Sequence, residues 1–392
     1  MMPELSSKTP PSHHFEFLDG IRGLMAVYVC LFHIREESVK SLSEGGRLLS
    51  LPLHFGHAAV CVFIVLSGFV LMAPVARSDN PLGQIPGGLL PYFLRRARRI
   101  LPPYYAAFAM TFLMGILSPE GFKALRQFDL PVLQRLLFTE NSAWHYAIPH
   151  LLLINNWGEQ WQTLDYPLWS VALEWQLYFF FPLVFLPLLQ KIKITTLILL
   201  VLLVSVLPAS LLPYNYSGMW TFPWLAALFC LGMLGALACF SPQLIPSSGK
   251  IFLLSSNRTI SLLAAITIGL IFAADQPNLY RISWIADLSI GITTIIFIIK
   301  NLKNTKKTKA IQLLTNPSIL YLGSISYSIY LIHKLVLIKL GGIFKHLTNH
   351  YIIHDDIFFL LFITVGTTTV IVISHLFHIA FERPFMKKKS IK

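Results

Sequence analysis

Charged side chains are scarce in this chain of 392 residues, where Asp, Glu, Lys and Arg together make up 12% of the total. Hydrophobic residues make up 55%, and the mean hydropathy is +0.64. A soluble domain of this size does not need so much apolar surface, so the composition excludes an ordinary soluble fold. Long apolar runs recur from one end of the sequence to the other, which predicts a polytopic α-helical membrane protein.

Cysteine is also scarce, and no segment has the features of a signal peptide. The four cysteines, Cys30, Cys61, Cys230 and Cys239, all lie within apolar runs, and no two of them have CxxC spacing. This excludes a disulfide framework and a zinc site of the usual spacing, so we expect no metal. Residues 1–16 contain prolines and serines but no apolar core, so we expect no cleaved signal peptide. Short segments of alternating hydrophobicity are not evident, which excludes a β-barrel.

The net charge of +13 comes from Lys and Arg that lie in a few loops between the apolar runs. This distribution follows the positive-inside rule, and it argues against a nucleic-acid partner. About ten spans, with both termini in the cytoplasm, place every basic loop on the cytoplasmic side. The predicted spans are roughly 18–35, 58–75, 100–117, 169–189, 194–213, 221–240, 258–275, 282–299, 317–340 and 357–381. The apolar piece at 147–157 is too short to cross on its own.

The sequence therefore predicts an all-α fold, a polytopic transmembrane helical bundle. We expect a polar cytoplasmic tail at 1–16, a transmembrane domain at 17–385 and a basic cytoplasmic tail at 386–392. No internal repeat is evident, and neither is the inverted pair of broken helices that marks many transporters.

The first span carries ionisable residues, which are costly at membrane depth and usually face the protein interior. Arg22 and His33 are eleven positions apart, so they share one helix face and lie about 16 Å apart along its axis. Two interpretations remain open at this point. Either the pair is functional, or Arg22 reaches towards lipid headgroups and His33 is an ordinary core histidine.

A carboxylate lies in the span at 169–189. With the predicted topology Glu174 falls in the outer half of the bundle, at the depth of His33. A carboxylate beside an imidazole holds its tautomer and raises its basicity, the usual arrangement for a general base. An unpaired carboxylate inside a span is costly, which weakens a purely passive interpretation of Glu174.

A basic loop is predicted at 76–99, and it ends in Arg95, Arg96, Arg98 and Arg99. Together with Arg22 these residues would gather on the cytoplasmic side, where guanidinium groups suit an anionic phosphate ligand. Taken alone, the cluster is explained more simply by topology and anionic lipid. In the second span, Ser67-Gly68 allows a ligand or another backbone to come close, although ordinary helix packing is an equal alternative.

Six segments follow one another through the chain: LDGIRGLMAVYVCLFH at 18–33, FIVLSGFVL at 63–71, RRARRILPPYY at 95–105, PLWSVALEWQLYF at 167–179, LGSISYSIYLIHK at 322–334 and FERPF at 381–385. Together they resemble the ordered motifs of acyltransferase family 3, the integral-membrane acyltransferases that include O-antigen and other polysaccharide O-acetylases. Some members of that family continue into an SGNH hydrolase-like domain. We expect none here, because the sequence ends soon after Lys389.

The resemblance implies transfer of an acyl group, commonly acetyl from acetyl-CoA, to a hydroxyl of a glycan or glycosylated acceptor. It also implies a bacterial inner-membrane location. The expected roles are catalysis by His33 and Glu174, donor binding by Arg22, Arg96 and Arg99, and a site lining of Ser67, Gly68, Trp169, Ser170, Tyr327 and His333. His33 could act as a general base or carry the acyl group itself. The alternative function is a transporter or flippase for a glycolipid or anionic metabolite.

Overall fold

The computed structural model describes residues 15–83, 85–116, 143–158, 167–212, 221–245, 257–274, 283–304, 308–351 and 355–386. Across these ranges the chain is helical and contains no strand. The predicted all-α architecture is therefore confirmed for the described part of the chain. The two predicted tails, apart from residues 15, 16 and 386, lie outside the described residues.

The helices are numbered in chain order. They are α1 Glu16–Ser38, α2 Glu44–Leu49, α3 Gly56–Ala76, α4 Leu89–Ile116, α5 Ala143–Leu151, α6 Leu168–Leu189, α7 Ile194–Leu211, α8 Leu225–Phe240, α9 Asn257–Ala274, α10 Ser283–Lys303, α11 Lys309–Leu314, α12 Pro317–Ser324, α13 Ser326–Tyr351 and α14 Asp355–Phe385. Helix α6 contains a π-helical turn at Phe181–Phe185, and α14 contains two, at Phe362–Gly366 and His378–Glu382.

Six of the described helices are long and apolar enough to cross a membrane. They are α1, α3, α6, α10, the first nineteen residues of α13 and α14. Helices α7, α8 and α9 contain shorter apolar segments. The protein is thus a multi-pass membrane protein, whereas the count of ten spans and the side on which the termini lie stay predictions.

The basic stretch before the third predicted span is helical, and the prediction of a loop up to residue 99 was wrong. Helix α4 begins at Leu89, so all four arginines lie on it. Arginine is a good helix former and can extend its charged end away from an apolar stem, so a helix tolerates the cluster. Arg96 and Arg99 are three positions apart and therefore share one face of α4.

The predicted span at 317–340 is broken, because α12 ends at Ser324 and α13 begins at Ser326. Close packing against α1 accompanies the break. A Cβ at Gly20 would fall onto the carbonyl of Leu314, and a Cβ at Gly23 would fall onto the backbone of Gly323. These two glycines let α1 lie directly on the backbone of α11 and α12, which fixes the depth of the neighbouring Arg22.

Helix α3 lies in the core of the bundle and packs tightly on α8. A Cβ at Gly68 would meet the carbonyl of Phe229, and a Cβ at Gly232 would meet the carbonyl of Val65. Small residues at such crossings are the usual means of close helix approach in membranes. Helix α5 covers only the first part of the apolar piece predicted at 147–157, and its nine residues, about 13 Å long, are too short to cross a membrane.

Candidate active site

A cavity that is partly open to its surroundings lies among α1, α3, α4, α6 and α13. Its polar and charged lining consists of Arg22, Ser67, Arg96, Arg99, Ser170, Glu174, Tyr178, Ser326, Tyr327 and Tyr330. Seven residues predicted for the site are in this set. The fold therefore brings five of the six motif segments to one place.

We call this the arginine cavity, because Arg22, Arg96 and Arg99 line it. Its charge is mainly positive, since these three arginines face one carboxylate, that of Glu174. Arg22 is 16% exposed and donates to Asp19 over 3.3 Å. The Cζ atom of Arg96 lies 5.9 Å from the centre of the Tyr178 ring. The buried Nε of Arg96 has no hydrogen-bond partner among the described residues. An unpartnered buried donor is costly, and an anion in the cavity would satisfy it.

Glu174 lines this cavity. The predicted pairing of Glu174 with His33 is not found, because Glu174 bonds other residues. Its Oε1 accepts hydrogen bonds from the hydroxyl of Ser67 and, over 2.5 Å, from the hydroxyl of Tyr178. The prediction compared depths by counting residues from the ends of straight spans. Glu174 is six residues inside α6, about 9 Å, and Ser67 is eleven residues inside α3, about 16 Å. Their contact therefore lies deep in the bundle, away from the helix ends.

His33 has a different carboxylate partner, one turn further along α1. Its Nδ1 lies 2.7 Å from Oε2 of Glu36. Lys334 donates to the same Glu36 oxygen over 3.1 Å and to Glu37 over 3.1 Å. The His33 side chain is 4% exposed, whereas Glu36 is 48% exposed. A carboxylate at Nδ1 keeps the proton on that nitrogen, so Nε2 is the basic nitrogen of the neutral ring.

His333 joins His33 to the arginine cavity. The rings of His333 and His33 have centres 5.1 Å apart. Nδ1 of the buried His333 donates to the carbonyl of Tyr330 over 2.7 Å, and its Nε2 has no hydrogen-bond partner among the described residues. The hydroxyl of Tyr330 lies 2.5 Å from that of Ser170, and both residues line the cavity. Adjacent side chains thus form a continuous path from the arginines to His33.

Two predicted lining residues lie behind the cavity wall. Gly68 faces the backbone of α8, which favours the helix-packing interpretation of the Ser-Gly pair. Trp169 is 4% exposed, and its ring stacks on His57 with an angle of 12° between the ring planes. Both residues support the wall from behind.

Sequence reasoning did not assign five residues to the site: Glu36, Tyr178, Ser326, Tyr330 and Lys334. Two of them had a local signal. Glu36 is three positions after His33, and Tyr178 is four positions after Glu174, spacings that put side chains on one helix face. The predicted first span ends at residue 35, whereas α1 continues to Ser38, so Glu36 is helical. The contact of Lys334 with α1 is long-range and had no such signal.

Comparison with protein families gives a match over nearly the whole described chain. The model of the Acyl_transf_3 family, described as an acyltransferase domain, matches residues 15–377. This interval contains all the site residues described above. No solved structure matches the chain.

Several named proteins are similar to the chain at low identity. Two of them, from Staphylococcus aureus strains COL and MRSA252, each carry the name "Putative O-acetyltransferase". Each is 24% identical over 389 residues, which cover 95% of this chain and 57% of the relative. The acyltransferase MdmB of Streptomyces mycarofaciens is 27% identical over 169 residues, which cover 42% of this chain and 38% of that protein. The chain thus spans little more than half the length of the staphylococcal relatives.

Proposed function

Since the chain belongs to the acyltransferase family whose model it matches over residues 15–377, we propose that it is a membrane-embedded O-acyltransferase. It takes an acyl group, in the simplest case acetyl, from acyl-CoA and transfers it to a hydroxyl of a glycan or glycosylated acceptor. One observation carries this proposal: the packed side chains of Tyr330 and His333 link the arginine cavity to the His33–Glu36 pair.

The arginine cavity suits the phosphate groups of CoA. Arg22, Arg96 and Arg99 supply planar donor groups that match phosphate oxygens, and the Nε of Arg96 lacks a partner among the described residues. The remaining lining is largely apolar and would contact the uncharged pantetheine arm. It includes Val60, Phe63, Ile64, Val70, Leu71, Ile100 and Val171.

The His33–Glu36 pair has the geometry of a general base with its orienting carboxylate. Nε2 of His33 accepts the proton of the acceptor hydroxyl as that oxygen attacks the thioester carbonyl. Glu36, 2.7 Å from Nδ1, stabilises the imidazolium that forms. The intermediate then collapses, the carbon–sulfur bond breaks, and the leaving thiolate takes the proton from His33. The products are an ester and CoA, and the base is restored.

A covalent route would use the same residues, with the acyl group carried on Nε2 of His33 before transfer. Mass spectrometry of the intact protein, mixed with acetyl-CoA and no acceptor, separates the two routes. Only the covalent route adds an acetyl group to the chain. Its absence in His33→Ala would assign that group to the histidine.

The distribution of basic residues supports an orientation in which α1 runs outward. Arg22 then lies nearer the cytoplasm and His33 nearer the outer face of a bacterial inner membrane. The donor enters from the cytoplasm, and an acceptor at the outer face is modified without CoA crossing. In a background without native cysteines, Asp79→Cys should be shielded from an impermeant thiol reagent in spheroplasts, and Glu44→Cys should react. Labelling of Asp79→Cys from outside would contradict this orientation.

The experiment that tests the proposed function is a transfer assay on the purified full chain. Release of the CoA thiol from acetyl-CoA should depend on an added surface-glycan fraction. Mass spectrometry of surface glycans, from cells with and without the protein, should show an acetyl ester that requires it. A transporter or flippase would leave acetyl-CoA intact, so a lack of thiol release together with unchanged glycans would contradict the proposal.

A further inference from the structure

We infer that His57, Cys61 and Asp287 form a metal site, and that zinc is the ion it selects. His57 and Cys61 are four positions apart at the start of α3, so they share one face of that helix. Asp287 reaches them from α10. One ligand atom from each residue, namely the imidazole nitrogen, the thiol sulfur and a carboxylate oxygen, lies within 4.8 Å of both others.

The surroundings of these three residues are those of a shielded metal site. Cys61 is fully buried, Asp287 is 4% exposed, and the His57 side chain is 34% exposed. Trp224 Nε1 donates to Oδ2 of Asp287 over 2.8 Å, an outer hydrogen bond of the kind that orients ligating carboxylates. Phe222 lies with its ring centre 4.7 Å from that of His57 and has a φ of 47°. Such a left-handed aromatic residue is strained, and strained residues gather at functional sites.

The donor set distinguishes among metals. A thiolate, an imidazole and a carboxylate are the three ligand types that zinc uses, whereas magnesium and calcium take oxygen ligands. The charges also balance, since one divalent ion offsets the thiolate and the carboxylate beside a neutral imidazole. A neutral assembly avoids the large cost of a net charge in an apolar interior. Three protein ligands leave the fourth position of a tetrahedral zinc to water.

A metal-free arrangement of the same residues makes a different prediction. Nε2 of His57 lies 2.9 Å from Oδ2 of Asp287, so those two could form a hydrogen-bonded pair by themselves. The Cys61 thiol, a weak donor, would then add only a weak hydrogen bond to Asp287. The role of the Cys61 sulfur therefore separates a metal site from a simple pair.

The site would join α3 to α10 next to the wall of the arginine cavity. The ring of His57 stacks on Trp169, which precedes the cavity residue Ser170. Zinc bound here would fix this wall without taking part in the transfer step. The inference is independent of the proposed acyl transfer, because its test measures metal and not activity.

The test uses the full chain purified in detergent from zinc-supplemented cells, with elemental analysis by mass spectrometry. We expect close to one zinc ion per chain, and a loss of most of it in Cys61→Ser and in Asp287→Asn. The matched control is Cys230→Ser, which changes another fully buried cysteine outside the cluster and should keep the metal. Size-exclusion chromatography of each variant checks that metal loss does not reflect unfolding.

A second measurement does not depend on the stability of the Cys61 variant. The chain with Cys30, Cys230 and Cys239 all changed to Ser keeps only Cys61, and its Co²⁺ form should show thiolate-to-cobalt charge-transfer absorption. Wild-type protein that binds neither zinc nor Co²⁺ would overturn the inference. So would a folded Cys61→Ser variant with the zinc content of the wild type, or a Co²⁺ form without the thiolate band.

Discussion

The two ends of the candidate site differ in how completely their polar groups are paired. In the arginine cavity the buried Nε of Arg96 has no partner among the described residues. At the other end His33, Glu36 and Lys334 satisfy one another over 2.7 and 3.1 Å. A paired histidine is held in one orientation for proton transfer, whereas a guanidinium with an unpartnered buried Nε is ready to bind an anion. Changes at the histidine end should therefore alter kcat, and changes in the cavity should alter the KM for the donor.

The largest effect is expected for His33→Ala. Loss of the general base should lower kcat for acyl transfer by at least about a hundredfold, with little change in the KM for acetyl-CoA. Steady-state kinetics of the purified variant measure both. The control is His375→Ala, which removes a histidine that bonds Tyr321, does not line the cavity and should leave transfer intact. Near-normal kcat for His33→Ala would exclude His33 from the mechanism.

Glu36→Gln should have the next largest effect. A charge-assisted hydrogen bond contributes about 1.5–3 kcal/mol, so kcat should fall by about tenfold or more, and its pH profile should shift. Glu37→Gln is the matched control, since Glu37 accepts a hydrogen bond from Lys334, whereas His33 bonds Glu36. Equal pH profiles for wild type and Glu36→Gln would show that Glu36 does not orient the base.

Substitutions in the arginine cavity should change the KM for acetyl-CoA. Arg96→Ala and Arg99→Ala should each raise the KM for acetyl-CoA by about tenfold, because each loses a charge-assisted contact with phosphate. Lys at either position should restore binding only in part, since it lacks the planar fork of Arg. Arg98→Ala, on the same helix but outside the cavity lining, is the control for loss of charge. An unchanged KM in both alanine variants would show that the arginines follow the positive-inside rule but do not bind the donor.

Glu174→Gln should give the smallest effect, and it tests to which end Glu174 belongs. Removal of the carboxylate that lines the cavity should lower the KM for acetyl-CoA by up to about fivefold, the size of a partly screened charge interaction of about 0.2–1 kcal/mol. The pH profile of kcat should stay as in the wild type. A shifted pH profile with an unchanged KM would instead favour the original prediction that Glu174 orients His33.

The helical architecture could be predicted because it depends on local features. Runs of apolar residues identified the membrane-crossing helices, and the period of the helix put Arg22 and His33 on one face. The same local reasoning would have found Glu36 if the predicted first span, which ended at residue 35, had been extended by one turn. Helix ends are the least certain part of such a prediction, and here one turn decided which carboxylate pairs with His33.

The rest depends on how helices pack, which one sequence does not reveal. Glu174 could be assigned a depth by counting residues, but its contact with Ser67 depends on the relative position of α6 and α3. The break at Ile325 occurs where α12 lies against Gly23 of α1. The cluster of His57 and Asp287 joins residues 230 positions apart. Cysteine spacing could not predict that cluster, because only one of its members is a cysteine.

The most direct test of this division between the two ends is equilibrium binding of CoA itself, which carries the phosphates but no acyl group. Isothermal titration of the purified chain should show saturable binding that weakens as ionic strength rises. His33→Ala should bind CoA as the wild type does, although its acyl transfer is at least about a hundredfold slower. The Arg96→Ala/Arg99→Ala double variant should bind at least about tenfold more weakly. Equal CoA affinity in that double variant and the wild type would contradict the account.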